Sequence, residues 1–167
     1  MALNGYLRFS GQKLGVVKGS VQQKGREDSI MVIAVSHSIV SPRDPASGLP
    51  TGKRMHKPFV ITKEVDKASP LLYSILTNNE NIPKWELQFW TPQLDAKRGT
   101  GQEVQHYTIK LENANVASID FRMAINKHPD LMKFDLYEEI AFTYDKIVWT
   151  WKDGGIEHED AWSAPVV

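Results

Sequence analysis

The most chemically suggestive stretch of the sequence is "GLPTGKR", Gly48 to Arg54, where two glycines precede a lysine in the manner of a phosphate-cradling loop. Such a loop needs four residues between its glycines, a Ser or Thr after the lysine, and a following helix whose N-terminal amides face the phosphate. Here three residues separate Gly48 from Gly52, Arg54 follows Lys53, and the next segment reads as a strand. The parts that phosphate binding requires are missing. A second candidate, "IEHEDAW", sets His158 among Glu157, Glu159 and Asp160. Neighbours on a strand point to opposite faces and the helical H-E-x-x-H spacing is absent, so a metal would need distant ligands. A solvated, turn-like tail is the expectation for this segment. His37, His56, His106 and His128 stand singly and read as hydrogen-bonded side chains, not general bases. Glu138, Glu139 and Asp120 could pair across strands as acid and base, but polar alternation on half-exposed strands explains them equally well. Trp85, Trp149 and Trp151 read as core or subunit-interface anchors, because aromatic side chains bury large area with few rotamers. With no cysteine, thiolate nucleophiles, thiolate zinc sites and disulfide frameworks are excluded. No catalytic residue, cofactor or metal is therefore expected, and the chain does not read as an enzyme.

The elements that must position these side chains are mostly strands. The 167 residues suit one domain over 1–167. Twenty cations balance twenty anions, so the basic footprint of a nucleic-acid partner is lacking. The same balance leaves little repulsion between copies and permits self-association. No apolar run approaches the ~18 residues of a membrane span, and "MALNGYLRFSGQKLG" has no secretory leader pattern. Period-two alternation predicts strands over Leu3–Phe9, Ile30–Val40, Pro58–Val65, Lys84–Trp90, Val104–Ala114, Val116–Ile125 and Glu138–Trp151. Over Ile30–Val40 the set Met31, Ile33, Val35, His37, Ile39 reads as core. Its small counterpart, Ile30, Val32, Ala34, Ser36, Ser38, reads as a covered or space-lining face. In Glu138–Trp151 the apolar phase switches from Ile140, Phe142, Tyr144 to Ile147, Trp149, Trp151, which predicts a bulge or a change of partner at Asp145-Lys146. The turn before Val104 is expected over Asp95–Glu103. A helix is predicted over 69–79, with Ser69 accepting first-turn amides, Pro70 at its first position, and Leu72, Ile75 and Leu76 on one face. The fold class is thus mainly β: an antiparallel barrel or sandwich with one short flanking helix.

Between two of these strands lies "SPRDPASGLPTGKRMHK", a loop over 41–57 much longer than the usual ~4–6 residues. Pro42, Pro45 and Pro50 stiffen an extended excursion, and Gly48 and Gly52 allow sharp turns. Arg43, Asp44, Lys53 and Arg54 supply polar contacts.

Taken together, "GLPTGKRMHKPFVITKEVDKASPLL", "YTIKLENANV", "FTYDKIVWTW" and the closing "DAW" resemble the Hcp family, the haemolysin-coregulated tube proteins of type VI secretion. The densest part of the resemblance is Lys63, Asp66, Lys67, Ser69, Pro70 and Leu72. One departure is Gly25-Arg26-Glu27, where many relatives read Gly-His-Glu. The resemblance implies a phage tail-tube-like barrel that assembles as a hexameric ring with a central channel, rings stacking into an exported tube. It implies self-association as the main partnership, with a spike protein at the tip, a contractile sheath and baseplate, and effector proteins held in the lumen. It also implies a cytoplasmic protein before firing, secreted afterwards without a cleavable leader, and no catalytic residues. With only a few residues after Trp162, a fused toxin domain is not expected. In the family the long loop reaches neighbouring subunits or the next ring, and Pro42, Arg43, Asp44, Pro45, Gly48, Gly52, Lys53, Arg54 and His56 are the positions expected to do so here. Ala34, Ser36 and Ser38 are the lumen-facing candidates, with a cargo-contacting serine aligned near Ser36, and Trp149 and Trp151 the interface or core aromatics. The alternative is a monomeric barrel that binds a small ligand or glycan through its aromatics; a hydrolase built on His158 is a third reading.

Overall fold

The structure is a computed structural model that describes residues 3–92 and 102–165. The turn expected over Asp95–Glu103 lies almost wholly outside the described residues. The strands are β1 (Gly5–Gly11), β2 (Gly15–Val17), β3 (Ile30–Val32), β4 (Ala34–Ser36), β5 (Ile39–Val40), β6 (Met55–His56) and β7 (Phe59–Glu64). After helix α1 (Ser69–Thr77) come β8 (Ile82–Pro92), β9 (Glu103–Arg122), β10 (Tyr137–Thr143), β11 (Lys146–Trp151) and β12 (Ile156–Ala161). The fold is mainly β and antiparallel, as expected.

Pairing runs β2-β1-β8-β9-β10-β7-β4. At the ends of this order β3 pairs with β1 and β4 with β7, and a single residue, Ile33, joins β3 to β4. Its amide already donates to Thr62 O at 2.9 Å. The chain thus crosses from one edge to the other within a few residues and closes the sheet into a barrel. Closure removes most of the exposed strand edge that invites aggregation. Inside, Trp85 is fully buried and meets Phe59 and Phe142 edge-on, with ring centroids 5.2 and 5.4 Å away. Leu7, Ile30, Ile61, Leu111 and Ile147 complete the centre of the core. A nine-residue helix is marginal by itself in water. It is held by Leu72 and Ile75, both buried in the same core, with Leu76 partly buried beside them.

Several elements differ from the sequence-based expectations. The first strand begins at Gly5 and runs to Gly11, not over Leu3–Phe9. Ile30–Val40 is three short strands, and its buried members are Ile30 and Val32, whereas Ile33 and Val35 are exposed. Both alternating sets are largely apolar or small there, so the pattern left the register open. The crossover between β1 and β7 decides it, and a one-residue change of phase exchanges the faces. The segments Val104–Ala114 and Val116–Ile125 form one strand of 20 residues, bent where Asn113 takes a φ of 49°. Before the bend β9 pairs with β8 and β11, and after it with β10. The phase switch at Asp145-Lys146 falls where β10 ends and β11 begins, a change of position along β9. The C-terminal segment is not a turn-like tail: β12 pairs with β11 along its length. Among the described residues no helix is long and apolar enough to cross a membrane.

Candidate functional site

The long segment 41–57 folds as a β-hairpin. At its base β5 pairs with β6, Ile39 opposite His56 and Val40 opposite Met55, and a further bridge joins Arg43 to Pro50. Thr51 N donates to Pro42 O at 3.0 Å and Asp44 N to Leu49 O at 2.9 Å. The tip is tied by one carboxylate: Asp44 Oδ1 accepts from Ser47 N at 2.7 Å, Ala46 N at 2.9 Å and Ser47 Oγ at 3.0 Å. These bonds, the Ser47 amide first, hold the Asp44 carboxyl below its ordinary range. Gly48, with a φ of +72°, makes the left-handed step that closes the turn. Arg43, Pro45, Gly52 and Lys53 stand exposed along the hairpin, and Pro42 and Asp44 are half-buried.

Arg54 and His56, grouped with those residues from the sequence, are used within the chain. The Arg54 guanidinium forks onto both oxygens of Asp160 in β12. His56 is buried, with Nε2 2.8 Å from Asp160 Oδ2 and Nδ1 2.8 Å from the Tyr144 hydroxyl. The same hydroxyl lies 2.7 Å from His37 Nε2, just before β5. Trp162 stacks on His56, centroids 5.7 Å apart, and meets Tyr144 edge-on at 5.0 Å. The Arg54 fork, opposed by burial and aided by His56, holds Asp160 down to about 2. Burial lowers His37 from its ordinary value, with a further push from the His56 charge, and burial raises the Tyr144 phenol. The closing "DAW" is thus one half of a lock whose other half is the hairpin base, a relation no spacing in the sequence reveals.

The densest signature residues form a sealed ionic cluster beside α1. Lys63 Nζ donates to Glu138 Oε1 at 2.7 Å, to Glu64 O at 2.8 Å and to Ser69 Oγ at 3.0 Å, and pairs with Asp66 Oδ1 at 3.0 Å. Ser69 Oγ donates to Glu138 Oε1 at 2.7 Å and accepts from Asp66 N at 3.1 Å. Ser69 therefore does not cap the helix, as the sequence suggested; its hydroxyl is taken by a stronger, charge-assisted set of partners. Ala68 stands at the cap position, and its amide donates to Asp66 Oδ1 at 3.0 Å. Lys63, Ser69 and Glu138 are all buried, so the cluster meets no substrate. Pro70 occupies the first turn, Leu72 is in the core, and Lys67 is an exposed cation 3.9 Å from Asp28.

The remaining candidates are dispersed. Glu138 faces the buried cluster, whereas Glu139 points the other way in register with Asp120. His158 lies on exposed β12 against Trp149, rings parallel to within 7°. Glu157 accepts from Thr150 Oγ1 and Glu159 pairs with Lys146, so the acidic run decorates a strand. Trp149 packs on the core and Trp151 is exposed at the rim beside His106. Among the described residues no three His, Asp or Glu side chains are grouped to hold a metal. Sequence reasoning left Arg26 without a role. Its guanidinium lies 4.7 Å from the Tyr6 ring and 4.6 Å from the Trp90 ring and pairs with Glu103 at 2.5 Å. These contacts pin the segment before β3 onto β1 and β8, and only the register of those strands brings the three partners together.

Several strand edges of the described residues stay open, those of β2 and β12 included, and two of them bound the run β4-β7-β10-β9. Among the described residues, β4 has no partner on the side away from β7, and β9 has none beyond Ala114 on the side away from β10. Ala34, Ser36 and Ser38 lie exposed on or beside the first of these edges. The register also sets two poles. The hairpin leaves the barrel near Phe59, and β7 then runs to Glu64, opposite Tyr137 and, one strand further, Arg122. At that far pole Met123, Ile125, Met132 and Phe134 are 66, 70, 66 and 55% exposed.

The profile of the family described as "Type VI secretion system effector, Hcp" matches residues 6–151. The "Major exported protein" of Pseudomonas aeruginosa is 38% identical over 99% of both chains. A mutant form of the Hcp1 protein from E. coli EAEC 042 has a similar structure, with a TM-score of 0.83 and 37% identity over 96% of this chain and 99% of that one. The secreted protein Hcp3 from Pseudomonas aeruginosa gives 0.76 and 32%, over 98% of this chain and 100% of that one. Members of this group are secreted structural proteins and not enzymes. The barrel, the buried Lys63 cluster and the hairpin lock all fall on a chain matched nearly end to end, and it belongs to the Hcp family of type VI secretion.

Proposed function

We propose that this exported protein is the structural subunit of the type VI secretion tube, closing into hexameric rings that stack and carry effector proteins in their channel. The observation that carries this reading is the pair of open edges on β4 and on β9 beyond Ala114. The strands between them, β4, β7, β10 and β9, alternate in direction. A copy rotated about an axis along the strands therefore offers β9 antiparallel to its neighbour's β4. Two different edges meeting at a fixed rotation make a heterologous contact, which closes when the rotation divides a circle. Along the axis, the hairpin at one pole and the apolar surface of Met123, Ile125, Met132 and Phe134 at the other suit head-to-tail stacking, which has no natural end. Ala34, Ser36 and Ser38 then face the channel or the neighbouring copy. In this reading the chain waits in the cytoplasm, leaves without a cleavable leader, and meets a spike protein at the tip and a contractile sheath and baseplate around the tube.

Light scattering on the purified chain tests the reading: about six times the 18.9 kDa chain is expected, with annuli in electron micrographs. A lone-subunit mass at high concentration would overturn it and return the monomeric binding-module alternative. Deleting 44–51 is expected to spare single rings and abolish their stacks; unaltered stacks would remove the hairpin from the axial contact.

A further inference from the structure

The buried contacts at the hairpin base have a direction. The Asp160 carboxylate only accepts, so His56 Nε2 carries a hydrogen and donates to it across 2.8 Å. With both rings neutral, His56 Nδ1 then accepts from the Tyr144 hydroxyl, and the Tyr144 oxygen accepts from His37 Nε2–H. Every member is satisfied. One added proton, on His56 Nδ1, reverses the chain: Tyr144 accepts from His56 and turns its hydroxyl toward His37, whose Nε2 must then be bare. A second proton, on His37 Nε2, has no such solution. Two N–H donors would converge on one hydroxyl whose own hydrogen has no acceptor, and two cationic rings would share one neighbour.

We propose that the His37–Tyr144–His56–Asp160 chain is an acid-released latch, which holds both strands of the hairpin base to β12 at neutral pH and lets go as protons accumulate on the two imidazoles. The groups that face it are few. His37 and His56 come from the two sides of the hairpin base, Tyr144 from the link between β10 and β11, Asp160 from β12, and Arg54 binds the outer side of Asp160. The other packed faces are uncharged: Phe59 lies 5.1 Å from His37, and Trp162 covers His56. Asp160 already serves Arg54 and His56, and no carboxylate is shown bonded to His37 among the described residues. A proton on His37 is therefore uncompensated, consistent with the lowered value that burial and His56 impose. A histidine held below its ordinary ~6.5 leaves the closed state fully favoured above that pH and progressively disfavoured as the pH falls through it. The inference goes beyond the tube reading and stands without it.

Hydrogen exchange of the full chain at about pH 7.5 and about pH 5, corrected for intrinsic rates, tests the latch. Amides of 39–57 and 156–162 are expected to exchange roughly three- to tenfold faster, relative to the barrel strands, at the lower pH. His37→Gln, which cannot gain a charge, is expected to shrink that difference to less than about twofold. Equal protection at both pH values in the native chain, or undiminished acid sensitivity in H37Q, would overturn the proposal. Histidine nitrogen spectra test it on the native chain, without a variant: Nε2–H is expected on both rings at neutral pH, and an Nδ1–H form of His56 there would also overturn it. Light scattering at both pH values records assembly separately, so loss of the latch and loss of a ring are told apart.

Discussion

At the scale of single residues, the chain places its most expensive charges opposite each other, buried Lys63 against buried Glu138. Removing one member of a buried pair strands the other, which typically costs about 3–5 kcal/mol, whereas replacing both by apolar groups is far milder. Lys63→Met is therefore expected to lower stability in chemical denaturation by about 3–5 kcal/mol, and Lys63→Met with Glu138→Leu to recover much of it. A double variant no better than the single one would show that Lys63 matters through Ser69 or Asp66 alone. Asp160 gives a pH-dependent counterpart. Its folded value, about 2, lies below the ordinary 3.8, so it stabilises the fold above about pH 4 and that stabilisation is lost as the pH falls toward 2. Asp160→Asn is expected to destabilise the chain at neutral pH and to flatten the acid limb of a stability-against-pH curve in that window.

At the scale of elements, the segment between β2 and β3 shows how close approach fixes residue choice. Gly19 N donates to Asp28 O and Val21 N to Ser29 O, drawing the segment back on itself. A Cβ on Gly19 would collide with Ser29 O and lie 2.6 Å from Ile30 Cα, both backbone atoms that cannot swing aside. Gly19→Ala, at a buried position, is expected to cost about 1–3 kcal/mol by thermal or chemical unfolding. An unchanged midpoint would mean that the segment yields. The helix and β8 were legible in the sequence because Leu72, Ile75 and Leu76, and likewise Trp85 and Leu87, obey one period with polar residues between them. Ile30–Val40 was not, because both of its faces are apolar or small and only the partner strands select one.

At the scale of the whole molecule, two substitutions separate the proposed channel from the proposed stack. Ser36→Gln, on exposed β4, is expected to weaken retention of a co-purified effector while leaving the ring mass unchanged. A collapse in stability instead would mean that the β4 face is assigned wrongly. Met132→Asp, at the pole opposite the hairpin, is expected to leave rings intact and remove their stacks in micrographs, since it sets an unpaired charge in an apolar contact. Stacks that persist would move the axial contact elsewhere. By itself the sequence determined the strand-rich class, the helix stripe, the exclusion of thiol chemistry and the family, because these rest on local period, residue type and the order of motifs along the chain. The tertiary structure alone decided the face of Ile30–Val40, the hairpin form of 41–57, the inward use of Arg54 and His56, and the joining of Lys63 to Glu138. Each of these depends on which strands lie side by side, and the energy that selects the pairing comes from residues far apart in the chain that meet only when the barrel closes.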